Sequence, residues 1–239
     1  MSIDGVVVWG CFPSEEIVLP PLLESMLDRH ERRRAERLIN PRDGRRFTLS
    51  HALLRLVLAH HTGLDPAAII YRRTQHGKPY LAGGPAFNMS HSGAGVLMAV
   101  GPADPIGIDV ERPRPMADRD GVVDRFFSEQ EQRAYDATPV EDRHVAFFNI
   151  WTRKEAYLKA FGHGLRWPLE AFSVSHGQAA MVTQHHPLAA GKRVIMHHLS
   201  PADGHRGALV ISPDATLAGG TLISIDGKGN TIQTEDVPI

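Results

Sequence analysis

The sequence predicts an α+β protein built as two similar subdomains with a cleft between them, and three observations carry that prediction. Two long stretches of helical apolar spacing, 43–61 and 144–161, each end at a glycine. Strand-like runs follow each helix in groups instead of alternating with helices one by one. The halves also echo each other: the first helix runs into Gly63-Leu64-Asp65-Pro66 and a strand, the second into Gly164-Leu165-Arg166-Trp167-Pro168 and a strand. The expected division lies at residue 105, with an N-terminal subdomain over 1–105 and a C-terminal one over 106–239.

Along the chain, 6–9 reads as a strand, and 20–28 and 29–38 as helices, the second highly charged. Asn40-Pro41 marks a break and restart. The next helix places Phe47, Leu49, Leu53, Leu54, Val57 and Leu58 at helical spacing and stops near Gly63. Residues 68–72 read as a strand, and the Gly and Pro of Gln75-His76-Gly77-Lys78-Pro79 punctuate a loop. Strands follow at 87–90, 95–100 and 106–111, the last stopped by Pro113 and Pro115. Ser128-Glu129-Gln130-Glu131 is a capping box that opens a helix. After the second long helix, closed by Gly162, strands are expected at 172–174, 193–198, 207–211 and 221–225.

Composition narrows the function classes. A length of 239 residues suits one large domain or two small halves, and 42% hydrophobic with 22% charged residues excludes disordered and fibrous classes. The 26 basic and 27 acidic side chains leave a net charge of −1, which argues against bulk attraction to nucleic acid. That average conceals polarity: 29–46 holds eight arginines against three acids, and 101–142 holds eleven acids against five arginines. The lone Cys11 cannot form an internal disulfide and favours a reducing, cytoplasmic setting. No basic leader precedes the short apolar run near Met1, and no run of apolar residues is long enough to span a membrane.

Three constellations carry chemistry. In Gly107-Ile108-Asp109-Val110-Glu111, strand alternation sends both carboxylates to one face, about 7 Å apart, while Ile108 and Val110 face the core. Two hard oxygen donors on one face suit Mg²⁺. On the second long helix, Trp151, Glu155 and Lys159 are successive i,i+4 positions on one side. They form either a metal and phosphate pair or a plain surface ion pair beside a core tryptophan. In the third, Arg73, Gly77 and Lys78 precede Asn88-Met89-Ser90-His91-Ser92. A glycine with neighbouring cationic and hydroxyl groups can cradle a phosphate or nucleotide, or make an ordinary turn. No P-loop, no Gly-x-Ser-x-Gly elbow and no His-Glu-x-x-His occurs, and the adjacent histidine pairs at 60/61, 185/186 and 197/198 chelate poorly.

Taken in order, Gly77-Lys78-Pro79, Asn88-x-Ser90-His91-Ser92, Gly107-x-Asp109-x-Glu111, Phe127-Ser128-x-x-Glu131 and Trp151-x-x-Lys154-Glu155-Ala156-x-x-Lys159-x-x-Gly162-x-Gly164-Leu165 resemble the 4'-phosphopantetheinyl transferase family. The match is closest to the larger monomeric type that serves peptide and polyketide synthetases, and it covers about 28–175. The resemblance implies two pseudo-twofold-related halves, each a long helix on a small sheet, with the active site between them. It implies transfer of phosphopantetheine from coenzyme A to a serine of an acyl or peptidyl carrier protein, releasing adenosine 3',5'-bisphosphate. Asp109, Glu111 and Glu155 would then hold Mg²⁺, Glu155 would act as base and Lys159 would neutralise phosphate charge. Arg46, Arg73, Gly77, Lys78, Pro79, Asn88, Ser90 and His91 would hold coenzyme A, with Arg46 at its 3'-phosphate. A Mg²⁺-dependent phosphohydrolase or phosphotransferase on nucleotides, or a non-catalytic coenzyme A-binding module, is the competing expectation.

Overall fold

A computed structural model of the chain describes residues 3–237 apart from Glu15, Ile17, Ala190 and residues 226–231. Met1 and Ser2, read above for a leader, lie outside the described residues. The elements are β1 (Val6–Cys11), α1 (Pro21–Met26), α2 (Arg29–Glu36), α3 (Pro41–Thr62), β2 (Arg72–Arg73), β3 (Pro79–Tyr80), β4 (Ala86–Ser92), β5 (Gly95–Gly101) and β6 (Ile106–Glu111). Then come α4 (Arg119–Phe126), α5 (Glu129–Asp136), α6 (Arg143–Phe161), β7 (Ser173–Val174), β8 (Val182–Gln184), β9 (Ile195–Leu199), β10 (Arg206–Ile211), β11 (Leu217–Ile225) and β12 (Ile232–Val237). Among the described residues no helix is long and apolar enough to cross a membrane.

The helix ends follow local chemistry. The Asn40 side chain accepts from the Arg42 N–H with Pro41 in the first turn, and α3 stops where Gly63 adopts φ 72°. Gly162, also at φ 72°, closes α6. The expected capping box is present, with Ser128 and Glu131 exchanging side-chain-to-backbone bonds at the start of α5. Asp28 and Glu31 form a second such box that opens α2.

The two larger sheets are a five-stranded one in the order β12-β11-β1-β5-β4 and a three-stranded one in the order β6-β10-β9, and β2-β3 and β7-β8 form two-stranded pairs. Strand alternation divides the interior into three cores. Leu49, Leu53 and Val57 of α3 pack on Trp9, Met98 and Val100. From the opposite face of that sheet, Val8, Leu97 and Ala99 meet Ile106, Ile108, Leu209 and Ile211 of the second. The outer face of the second sheet, with Ala208 and Val210, packs on Phe147, Ile150 and Leu158 of α6. The layers therefore run helix, sheet, sheet, helix. Each buried Leu or Phe contributes about 1.5–3 kcal/mol.

The structure departs from the sequence reading at four points. The strand foreseen at 68–72 is a single 3₁₀ turn over Pro66–Ala68, capped by Asp65, followed by only two paired residues. Helix α4 was not foreseen, because it is short and its apolar residues show little periodicity. Strand β8 lies in a stretch read as turns. Finally, β11 pairs parallel with β1, and β12 pairs with β11. The C-terminal residues thus return to the sheet that holds β1, β5 and β4. A pairing between residues more than 200 positions apart leaves no local pattern to read.

Candidate active site

The site lies where β4, β6 and α6 meet. The residue Gly107 explains how α6 comes so close: a Cβ there would collide with the Ala156 carbonyl and the Ala160 backbone. With Ile106, Ile108 and Val110 turned into the core between the sheets, the alternate face of β6 carries Asp109 and Glu111. The expected facing of these two carboxylates is observed.

Lys159 Nζ lies 2.6 Å from Asp109 Oδ1 and 2.8 Å from Ser90 Oγ, and the Ser90 hydroxyl donates to the same Oδ1 at 2.7 Å. Asp109 is 4% exposed, and its Oδ2 is buried without a hydrogen-bond partner. The Ser92 hydroxyl donates to Glu111 Oε2 at 2.6 Å and accepts the Arg112 N–H at 3.0 Å. Glu155 stands one turn before Lys159 on α6. Burial pushes its carboxyl above the usual range, and the Asp109 and Glu111 charges add to the rise while Lys159 opposes it. Glu111 is raised too, chiefly by burial with help from Asp109, against the Ser92 bond and Arg114. The Asp109 charge thus reaches both Glu111 and Glu155, and the Glu111 charge reaches Glu155.

No group of three or more His, Cys, Asp and Glu side chains among the described residues is arranged to hold a metal ion. The Lys159 ammonium instead supplies the local positive charge. The donor set nevertheless fits a hard divalent cation: three carboxylates, two of them raised in part by the charge of a neighbouring carboxylate, and one buried carboxylate oxygen lacking a partner. An unpartnered carboxylate oxygen is costly in the interior, and a cation beside it removes that cost.

Two cavities adjoin this face, and Phe47 stands in the wall of both. One, of about 420 Å³, is lined by Arg46, His91, Ser92, Glu111 and Arg114. The other, of about 640 Å³, is lined by Arg73, Pro79, Asn88, Tyr71 and His51. Arg73 Nη1 donates to the Gly77 carbonyl at 2.9 Å, and Gly77 takes φ 91°, which requires glycine. Asn88 Oδ1 accepts the Ile108 N–H at 2.9 Å, so this side chain also ties β4 to β6.

Lys78 is placed differently from expectation. Its ammonium donates to Asp104 Oδ1 at 2.6 Å and to the carbonyls of Ile106 and Ala160 at 3.0 Å each. All three protons are committed, and Lys78 lines neither of the two cavities above. It clamps the loop after β2 to the ends of β6 and α6. Lys154 is likewise structural: its ammonium is fully buried and bonds both oxygens of Glu131, at 2.7 and 2.6 Å, and the Phe172 carbonyl. Trp151 stacks on Phe147 and meets Phe126 edge-on, as a core residue does, although Glu155 and Lys159 on its helix face the site.

Sequence reasoning missed the support beneath the larger cavity. The guanidinium of Arg55, wholly buried, is held by Glu31 at 2.6 Å, Asp28 at 2.8 Å and the carbonyls of Pro66 and Ile69. His51 bonds Glu31 at 3.0 Å and stacks on Phe47 at 3.9 Å. An arginine amid the apolar positions of α3 was the available signal, since a lone charge among core residues requires partners elsewhere.

A family model described as the 4'-phosphopantetheinyl transferase superfamily matches residues 105–210, and one described as 4'-phosphopantetheinyl transferase, N-terminal, matches residues 19–103. The chain is 38% identical over 148 residues to 4'-phosphopantetheinyl transferase HetI of Nostoc sp., covering 60% of this chain and 62% of that protein. It is 36% identical over 149 residues to a 4'-phosphopantetheinyl transferase of Bacillus subtilis, covering 60% of this chain and 64% of that protein. It is 32% identical over 161 residues to 4'-phosphopantetheinyl transferase Sfp of Bacillus subtilis strain 168, covering 66% and 70%. The chain thus spans just under two thirds of the first two relatives and slightly more of the third. Matched on both sides of residue 104 and related at this identity, the chain belongs to the 4'-phosphopantetheinyl transferase superfamily.

Proposed function

We propose that this protein transfers the 4'-phosphopantetheine group of coenzyme A to a serine hydroxyl of an apo acyl or peptidyl carrier protein. The observation that carries the reading is the mutual placement of Asp109, Glu111 and Glu155 beside the Lys159 ammonium. In the balanced step, the serine oxygen bonds to the β-phosphorus of coenzyme A as the bond from that phosphorus to the bridging oxygen breaks. Adenosine 3',5'-bisphosphate leaves, and the serine proton passes to a base.

Asp109, Glu111 and Glu155 would hold Mg²⁺, which when bound polarises the pyrophosphate and neutralises its charge. Lys159 would turn from Asp109 to a phosphate oxygen, and Glu155, whose carboxyl is raised, would accept the serine proton directly or through water. Arg46 and His91 share a cavity with Glu111, which suits the 3'-phosphate end of coenzyme A. The neighbouring cavity of Arg73, Pro79 and Asn88 suits the rest of the nucleotide. The Cys11 thiol, pushed up to about 12 by burial, takes no part in the step.

Incubation with coenzyme A, Mg²⁺ and an apo carrier protein is expected to add the mass of phosphopantetheine to the carrier serine. Unchanged mass across several apo carriers would overturn the proposal, and cleavage of coenzyme A with no carrier present would favour a phosphohydrolase.

A further inference from the structure

Strand β4 is the edge of the first sheet and β6 the edge of the second, and no backbone ladder joins them. Their junction is made by alternate side chains of β4. Asn88 accepts the Ile108 N–H, Ser90 donates to Asp109, and Ser92 donates to Glu111 while accepting the Arg112 N–H. The strip Asn-x-Ser-x-Ser therefore lies along β6 from Ile108 to Arg112, with alternate β4 side chains meeting Ile108, Asp109, Glu111 and Arg112 in turn.

We propose that Ser90 and Ser92 are positioning residues for the metal-holding carboxylates, each hydroxyl fixing the direction of one carboxylate of the Asp109 and Glu111 pair. A serine hydroxyl has one proton to give and can accept on its lone pairs. The acceptor side of Ser92 is taken by the Arg112 N–H, and that of Ser90 by the Lys159 ammonium. Each proton is thereby steered to its carboxylate, at 2.6 and 2.7 Å.

Pinning one oxygen of a planar carboxylate sets where the other points. In Asp109 both Ser90 and Lys159 take Oδ1, and the oxygen left over is the buried, unpartnered Oδ2. Ser92 does the same for Glu111 by taking Oε2. Outer hydroxyls of this kind raise metal affinity by holding ligands in their bound orientation. The same bonds carry this orientation across the boundary between the two sheets, so the metal-binding face depends on both subdomains. This inference rests on the metal-dependent transferase reading.

The test titrates Mn²⁺, in place of Mg²⁺, into the whole protein with coenzyme A present, followed by electron paramagnetic resonance. Ser92→Ala is expected to weaken Mn²⁺ binding about 10–100-fold, with transferase activity returning as the metal concentration is raised. Ser92→Thr, which keeps the hydroxyl, is expected to restore affinity. If Ser92→Ala does not fold, Ser92→Cys, similar in size but a weak donor, takes its place with the same expectation. Unchanged Mn²⁺ affinity in these variants overturns the proposal, as does an equal loss in Ser92→Thr. Asp109→Asn separates the two levels: if it too binds Mn²⁺ normally, the metal reading itself has failed. If it alone is impaired, only the positioning role has failed.

Discussion

The Lys159 ammonium lies 2.6 Å from Asp109 Oδ1, joining α6 to β6 at the face where Glu111 and Glu155 also stand. Its charge also bears on the Glu111 and Glu155 carboxyls, opposing the rise that burial imposes on each. Replacing Lys159 by Gln is expected to lower the transferase rate about 100-fold or more, while the melting temperature moves little because the side chain is part-exposed. A rate within a fewfold of normal would remove Lys159 from the phosphate-binding role.

Glu155→Gln separates base from scaffold. The substitution keeps size and helix propensity but removes the charge and the proton acceptor, so a loss of about 10²–10⁴-fold in kcat is expected. Circular dichroism should be unchanged. Near-normal turnover by a folded Glu155→Gln protein would move the base elsewhere.

The raised carboxyls of Glu111 and Glu155 have a consequence for stability. Without metal, the native state holds their protons more tightly than the unfolded chain does. Their contribution is therefore fully present below the ordinary carboxylate range and is lost as pH rises through the shifted native values. Mg²⁺ requires the charged forms, so its stabilisation runs the opposite way. Melting curves with and without Mg²⁺ should diverge more at about pH 8 than at about pH 5. Equal divergence at both values would contradict the assignment of these two groups as ligands.

Removal of Glu131 strands the buried Lys154 charge. Burial already pulls Lys154 below its ordinary range against the pull of Glu131, which also caps α5 and receives the Val174 N–H. Glu131→Ala is expected to cost about 3–5 kcal/mol in denaturant unfolding, and the double change Glu131→Leu with Lys154→Met should recover much of that loss. A cost below about 1 kcal/mol would show that water reaches the pair.

At Gly107 the added methyl of an alanine has no room against the backbone of α6. Gly107→Ala is expected to destabilise the fold by about 1–3 kcal/mol. It should also reduce transferase activity in the molecules that remain folded, since any outward shift of α6 carries Glu155 and Lys159 away from Asp109. Full activity with normal stability would mean that the helix can slide without consequence.

Much of this protein was legible in its order of residues. The glycine stops at Gly63 and Gly162, the capping box at Ser128 and the alternation that turns Asp109 and Glu111 to one face all depend on residues a few positions apart. Local backbone sterics and hydrogen bonding are sufficient to determine them. The family was legible too, because its motifs preserve spacing.

The tertiary structure decided what distance along the chain conceals. It placed β11 beside β1, turned Lys78 and Lys154 from candidate phosphate or motif residues into clamps, and gathered Glu31, Asp28 and Arg55 beneath a cavity wall. A cation's role depends on which acceptors reach it after folding, and those acceptors lie 18 to 82 residues away for Lys78 and Lys154. The residue types thus determine which chemistry is available, and long-range packing determines which side chains are free to perform it.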